Sequence, residues 1–543
     1  MTGSKTTGEG PATSAPGVGP PATRPPRPAA LVCAGCGWCL PDGDPAVLRC
    51  PAALSGDDID HVVTRVLDPA HVTFPSGNEP EPFVRYRTLT YGYHAGRAAG
   101  LSDADLVALV ERLDAAVASV DGHGFRETPF ARNPELSHRL GFSDTGGAWV
   151  KDETGNVSGS HKARHVMGTL VELEIAELVR AARGAGDPAA GAGASAASGE
   201  GAAGGGTEAP AHLARPPFAI ASCGNAALAA AVVARAADRD LLVFIPDHAD
   251  PVVIARLRDL GARIEVCKRD PGVPGDPTVL RLHEALAAGA VPFTCQGDLN
   301  GLAIEGGETL GWEIVSSLLA SGRSLDRLFV QVGGGALAAS VIGGFLDARR
   351  LGVPVALPRL HAVQAEGVAP LRRAYDRVVA RLRDRLGPDV ARGREASGGT
   401  GTGLAPSDPA PVDLDDPRVA AVLADVARHR SAYMWPWESE PHSVAGGILD
   451  DETYDWLAVV RGMLASGGSP VVVDEATLIA ANDIARETTG IDVDHTGSSG
   501  LAGLLDLRRR GVVGPDESVA VLFTGVRRGP ASPPSGAHAG DRS

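Results

Sequence analysis

No stretch of this 543-residue chain is long and apolar enough to span a bilayer, so a membrane-embedded fold is not expected. A basic surplus is absent too: 50 Lys and Arg stand against 66 Asp and Glu, a formal charge of -16. A phosphate-backbone footprint needs clustered cations and none stands out, which argues against nucleic acid as a partner. Net charge leaves the sign of a small substrate open, because a local pocket can oppose the overall field. The first 30 residues are rich in Pro, Gly and Thr with no apolar core, so a secretory signal is not expected there. Seven cysteines are too few and too unevenly placed for an extracellular disulfide framework. Cytoplasm is therefore the expected location. No internal repeat is visible.

What is present is ordinary globular composition, 44% apolar and 21% charged, on a chain long enough for a large core. Residues 1–30 read as a disordered leader, 31–60 as a cysteine-rich knuckle, 61–527 as the main domain and 528–543 as a disordered tail. Segments 184–216 and 386–412 are dominated by Ala, Gly, Pro and Ser and read as flexible insertions, since they bury too little apolar area to offset ordering entropy. Elsewhere short apolar runs alternate with amphipathic stretches, an α/β pattern. Residues 241–245 read as a buried strand, Asp250 caps a helix with Pro251 in its first turn, and Gly261 ends it before a strand at Ile264. Further strands are expected at 218–222, 328–332, 359–364, 470–473 and 518–523. Helices are expected at 162–183, 225–238, 304–319, 335–349, 417–429, 454–465, 475–488 and 501–508. The polar run from Asp494 to Gly500 is expected as a turn that lines a pocket or caps the helix after it.

Four short segments carry chemistry when taken together. Ser158-Gly-Ser-His-Lys162 opens a helix and offers the Lys162 amine for a Schiff base. Ser222-Cys-Gly-Asn225-Ala226 joins a strand to a helix, where free N–H groups suit a carboxylate and Asn225 can reach a ring oxygen. Gly333-Gly334-Gly335-Ala336-Leu337 follows a strand and can cradle a phosphate; its spacing matches neither a dinucleotide nor a Walker loop. Thr524, before Gly525, ends the last strand and offers a hydroxyl to a pyridine nitrogen. Singly, each has a plain reading: a solvated lysine, a capped turn, a flexible turn, a strand-end threonine. Jointly they supply what pyridoxal 5'-phosphate needs. His161 and His165 lie four apart with no third ligand apparent, so no metal is expected on that helix. Cys33, Cys36, Cys39 and Cys50 have spacing compatible with a small zinc knuckle in which Cys39 must serve as a ligand; the alternative is uncoordinated thiols.

From about Arg85 to Arg528 the chain resembles the fold-type II pyridoxal phosphate enzymes, the tryptophan synthase β superfamily. By motif it is most similar to the threonine synthases and threonine/serine dehydratases. The four segments match the family's Ser/Thr-Gly-Ser-Phe-Lys, Ser-x-Gly-Asn, glycine-rich and late Ser/Thr/Cys-Gly motifs in that order. Thr128-Pro129, Lys151-Asp-Glu153, Glu305–Glu313 and Val363–Gly367 also resemble family stretches. His161 replaces the family Phe, Ala163 replaces an Asp frequent in threonine synthases, and the dehydratase Glu-Pro turn is replaced by His495–Ser499. The resemblance implies two interleaved open twisted sheets flanked by helices, and a homodimer.

It implies Lys162 as the catalytic lysine that carries the cofactor and then acts as base on the α-hydrogen. Asn225, Gly333–Leu337 and Thr524 would bind cofactor, and Ser222, Gly224, Asn225 and Ala226 the substrate carboxylate. The expected activity is that of a lyase performing elimination or replacement at the β or γ carbon of an amino acid, threonine synthase-like. An ammonia-lyase acting on threonine or serine is the alternative, and a non-catalytic sensor or scaffold that binds the cofactor is the rival from another class.

Overall fold

The short apolar runs become strands covered on both faces, as continuous hydrophobic runs require. In a computed structural model of the chain, residues 28–41, 44–54, 56–186, 215–247, 249–269, 276–390 and 408–528 are described. In chain order the strands are β1 (Ala29–Cys33), β2 (Val63–Leu67), β3 (Phe130–Arg132), β4 (Gly147–Asp152), β5 (Phe218–Ala221) and β6 (Leu241–Pro246), followed by β7 (Arg263–Cys267), β8 (Val291–Pro292), β9 (Arg327–Gln331), β10 (Arg359–Ala365), β11 (Val471–Val473) and β12 (Ser518–Phe523). They form a six-stranded sheet in the order β11-β10-β9-β12-β4-β3, a four-stranded sheet in the order β7-β6-β5-β8, and the pair β1-β2. The four-stranded sheet is parallel throughout, and the six-stranded one is parallel except at β3. Strands β1 and β2 pair antiparallel. This is an α/β fold with two open sheets flanked by helices.

The local signals act as their chemistry dictates. Asp250 accepts a hydrogen bond from the Val252 N–H and caps the Pro251–Asp259 helix, whose Val253 and Leu257 turn inward. The strand then restarts at Arg263, giving the expected βαβ unit. Helices Lys162–Gly186, Asn225–Ala236 and Ala336–Arg350 all begin at carboxyl ends of strands or in the loops beyond them, where α/β proteins gather ligands. No helix among the described residues is long and apolar enough to cross a membrane.

Three expectations change. Asp494–Gly500 is not a turn: Asp494 caps a helix running His495–Arg509, and its Gly and Ser side lies flat on the sheet. A Cβ on Gly500 would sit 2.9 Å from the Phe329 carbonyl oxygen, so only small residues permit this approach. The leader ends earlier than expected, since Ala29 and Ala30 already pair with β2; residues 1–27 lie outside the described residues, as do 187–214, 391–407 and 529–543 of the other expected flexible segments. The end of the 386–412 segment is packed: Asp408 pairs with Arg327, and Val412 is buried, its N–H bonded to the Leu464 carbonyl.

Candidate active site

Strand β12 and the loop before the Lys162 helix are stitched together. Ser160 bridges Gly525, and the His161 N–H donates to the Thr524 carbonyl at 3.2 Å. Ser158 takes a left-handed conformation, φ 57°, held by its N–H bond to Asp121. The Arg528 guanidinium bonds both the Ser158 carbonyl, at 2.9 Å, and Asn225 Oδ1, at 2.8 Å. Asn225 Nδ2 and the Asp494 carboxylate Oδ2 both face Gly525, 2.7 Å and 3.0 Å from where its Cβ would lie. Burial pushes that carboxyl up to about 6, against the Gly497 N–H and the Arg528 charge.

The glycine loop closes the opposite side. Gly335 has φ +100° and caps the Ala336–Arg350 helix, so the helix N-terminus faces the loop. A Cβ on Gly333 would land 2.3 Å from Asp450 Oδ2, which requires glycine there. Asp450 Oδ2 stands against the loop, 3.7 Å from where a Cβ on Gly334 would lie. Burial raises the pKa of that carboxyl, while Lys162 and the Gly334 N–H act to lower it. Asp450 also acts on Cys223 in the third segment, where burial and then Asp276 and Asp450 raise the thiol. Asp450 thus lies against the glycine loop, and its charge bears on both Lys162 and Cys223.

Around Lys162 several buried polar atoms have no partner: Ser158 Oγ, Ser160 Oγ and His161 Nε2. Burial, and then Lys162, drive His161 well below the ordinary histidine range, and the same causes take His165 down to about 3. Both imidazoles are neutral at pH 7. Thr524 is buried, and its Oγ1 accepts from Gln331 Nε2 at 2.6 Å, so its own proton is left to donate.

Beneath the site lies an ionic lattice cut off from water. Arg164 and Lys151 are 0% exposed, as is Glu153, and Glu313 is 1% exposed. Arg164 binds Glu153 at 2.8 Å and Glu313 at 2.7 Å, and Lys151 binds Glu313 at 2.5 Å. Burial alone would raise Glu313, yet Arg164 and Lys151 hold it below the usual range. Two cations and two carboxylates balance, which makes such burial tolerable. The lattice fixes the helix two residues beyond Lys162.

The residues present fit pyridoxal phosphate. A glycine loop at a helix N-terminus, the Lys162 amine, orphaned donors at Ser160 and Ser158, and a hydroxyl proton at Thr524 match its phosphate, aldehyde and ring. The structure brings together Lys162, Ser222–Ala226, Gly333–Leu337 and Thr524. Sequence reasoning passed over Arg164, Asp450 and Arg528. Arg528 was placed in the tail, and only its position three residues past Gly525 hinted at a role. At the N-terminus the expected ligand set changes: Cys33, Cys36 and Cys50 gather with His61, while Cys39 lies outside the group and its thiol donates to the Leu40 carbonyl. Residue order could not reveal this, because His61 comes from the loop just before β2.

A family model described as pyridoxal-phosphate dependent enzyme matches residues 123–407, which include Lys162, the Ser222–Ala226 loop and the glycine loop. The threonine synthase of Methanosarcina acetivorans is 25% identical over 228 residues, 42% of this chain and 42% of that protein. That of Methanocaldococcus jannaschii is 20% identical over 227 residues, again 42% of each. The chain therefore matches under half the length of these curated relatives. The processed form of threonine deaminase isoform 2 from Solanum lycopersicum aligns at 15% identity with a TM-score of 0.47, covering 79% of this chain and 92% of that one.

Proposed function

Because the chain belongs to the pyridoxal-phosphate dependent enzymes, we propose that it is a lyase acting at the β or γ carbon of an amino acid, by elimination or replacement, in the manner of a threonine synthase. When bound, the cofactor supplies an electron sink for the α-carbon. Lys162 is the amine that would hold its aldehyde carbon, and it would serve as the base for the α-hydrogen. The Gly333–Leu337 N–H groups would hold its phosphate. Ser222, Gly224, Asn225 and Ala226 would bind the substrate carboxylate at a helix N-terminus.

The observation that carries the reading is the hydrogen bond from Gln331 Nε2 to Thr524 Oγ1. With its oxygen occupied as acceptor, the hydroxyl has only a proton to offer the ring nitrogen. A hydroxyl donor, unlike a carboxylate, leaves that nitrogen largely unprotonated, which restrains transamination and favours elimination and replacement. His161 and His165, both neutral, keep added positive charge away from Lys162.

An ammonia-lyase on threonine or serine is the second reading, favoured by the negative charge that Asp276 and Asp450 set at Cys223. Two carboxylates there repel a phosphorylated side chain. Release of inorganic phosphate from O-phosphohomoserine supports the synthase. Formation of a 2-oxo acid and ammonia from threonine or serine, without phosphate release, supports the lyase. Turnover of neither, with cofactor bound, leaves a sensor or scaffold. A homodimer in the cytoplasm, with a structural zinc in the N-terminal lobe, completes the proposal.

A further inference from the structure

The strongest cluster outside the candidate active site lies in the N-terminal lobe. Cys33, Cys36, Cys50 and His61 offer ligand atoms that all lie within 4.8 Å of one another. Cys36 Sγ and Cys50 Sγ are 3.7 Å apart, and Cys33 Sγ and His61 Nδ1 are 3.5 Å apart. A disulfide needs sulfurs at about 2.05 Å, so these thiols are not bonded to each other. A tetrahedral zinc with Zn–S of about 2.3 Å and Zn–N of about 2.05 Å has an S–S edge of about 3.8 Å and an S–N edge of about 3.6 Å. Both observed separations are edges of that tetrahedron.

The surroundings are those of a ligand set. His61 Nε2 lies 3.0 Å from Asp57 Oδ2. A carboxylate on Nε2 fixes the tautomer that leaves Nδ1 with a lone pair, and Nδ1 is the atom facing the sulfurs. The Trp38 N–H donates to Cys36 Sγ at 3.4 Å, the kind of bond a thiolate accepts. Cys33 and Cys50 are buried, and the His61 side chain is 8% exposed. Cys39, the third cysteine of the run, is turned away.

The cluster is linked to the candidate active site through three contacts. Beside His61, the buried Asp60 accepts from Trp456 Nε1 at 3.2 Å and pairs with Arg430 at 3.3 Å. Trp456 follows Asp455, whose N–H bonds the Gly334 carbonyl at 2.9 Å. A Cβ on Gly335 would lie 3.1 Å from Asp455 Cβ. The 450–456 segment is therefore held on the glycine loop from one side and on Asp60 from the other.

We propose that Cys33, Cys36, Cys50 and His61 bind one zinc-class ion, and that this ion is the clasp that holds Asp60 against the 450–456 segment backing the glycine loop. The second half rests on the reading of that loop as the cofactor's phosphate site. Binding releases thiol protons to solvent and involves no oxidation.

The test uses the full chain. Metal analysis of the purified protein should find about one zinc per chain. Cobalt(II) in its place, before cofactor is added, should give the intense visible bands of a tetrahedral thiolate site. Cys39→Ser should keep the zinc and His61→Ala should lose it, with His61→Cys restoring it. Removal of zinc by a chelator, with far-ultraviolet circular dichroism unchanged, should raise the Kd for pyridoxal phosphate by about tenfold or more. Loss of zinc in Cys39→Ser with retention in His61→Ala overturns the ligand set, and absence of bound metal overturns the site. An unchanged cofactor Kd after zinc removal overturns the clasp. A protein that holds zinc yet binds no pyridoxal phosphate in either state overturns the clasp together with the cofactor reading, and leaves the metal site standing.

Discussion

Asp450 lies against the glycine loop, where its charge opposes that of an incoming phosphate. Replacing it by an amide keeps the shape and removes the competing charge. Asp450→Asn should therefore bind pyridoxal phosphate more tightly, by about tenfold, the factor given by about 1.4 kcal/mol. Titration followed by fluorescence measures this, and equal or weaker affinity would refute the competition. Arg164 calls for the opposite treatment. Its guanidinium is the cation that bonds Glu153 and Glu313 together, and all three side chains are sealed from solvent. Arg164→Met leaves two buried carboxylates with Lys151 as their nearest cation, at a cost of about 3–5 kcal/mol. Urea unfolding reads this directly, and a loss under about 1 kcal/mol would show the lattice to be dispensable.

The Lys162 helix is aimed by the Leu302–Ser321 helix that crosses it. They meet at Gly168 and Gly306, where a Cβ on Gly306 would lie 2.5 Å from the Arg164 carbonyl oxygen and 2.9 Å from Gly168 Cα. Backbone on both sides cannot yield as a side chain can. Gly306→Ala should lower stability by about 1–3 kcal/mol and weaken cofactor binding as well, because the helix that shifts carries Lys162. A variant that loses stability and keeps its cofactor affinity would show the crossing to be remote from the site. This glycine lies in the Glu305–Glu313 stretch already singled out in the sequence, where it carried no stated role. Elements with their own period were legible: the βαβ unit at 241–267, the glycine loop after β9, and most helices to within a few residues. The start of the His495–Arg509 helix was hidden because Gly497, Ser498, Ser499 and Gly500 show no apolar stripe, although close packing on Phe329 buries them. Pairings across long sequence separations leave no local period. Arg164 with Glu313, Arg528 with Asn225, and His61 with Cys33 became visible only in three dimensions.

Across the described residues more buried carboxyls are pushed up than buried histidines are pushed down, and this decides the response to pH. Burial raises Glu81 to about 8 and Asp494 to about 6, and raises Asp298, Glu305, Glu308, Asp347 and Asp455 as well. An unfolded carboxyl titrates at about 4. Between that value and the folded one the native state holds more protons, so stability falls as pH rises through the window. His165 and His361 act the other way: burial lowers both to about 3, so their contribution is complete above the unfolded value of about 6.5 and is lost on acidification. Above about pH 6.5 the histidines have nothing further to add, while Glu81 is still losing its proton. The formal charge of -16 adds self-repulsion in the same direction. The midpoint of thermal unfolding should therefore drop between pH 6.5 and pH 8.5, by several degrees for each kcal/mol lost. Glu81→Gln should flatten that slope, because an amide at the cap of the Pro82–Arg85 turn has no proton to lose. A midpoint that rises over this interval, or a slope that the substitution leaves intact, would mean that the buried acids are ionised in the fold and paid for by partners such as Arg65, which reaches Glu305, Glu308 and Asp347.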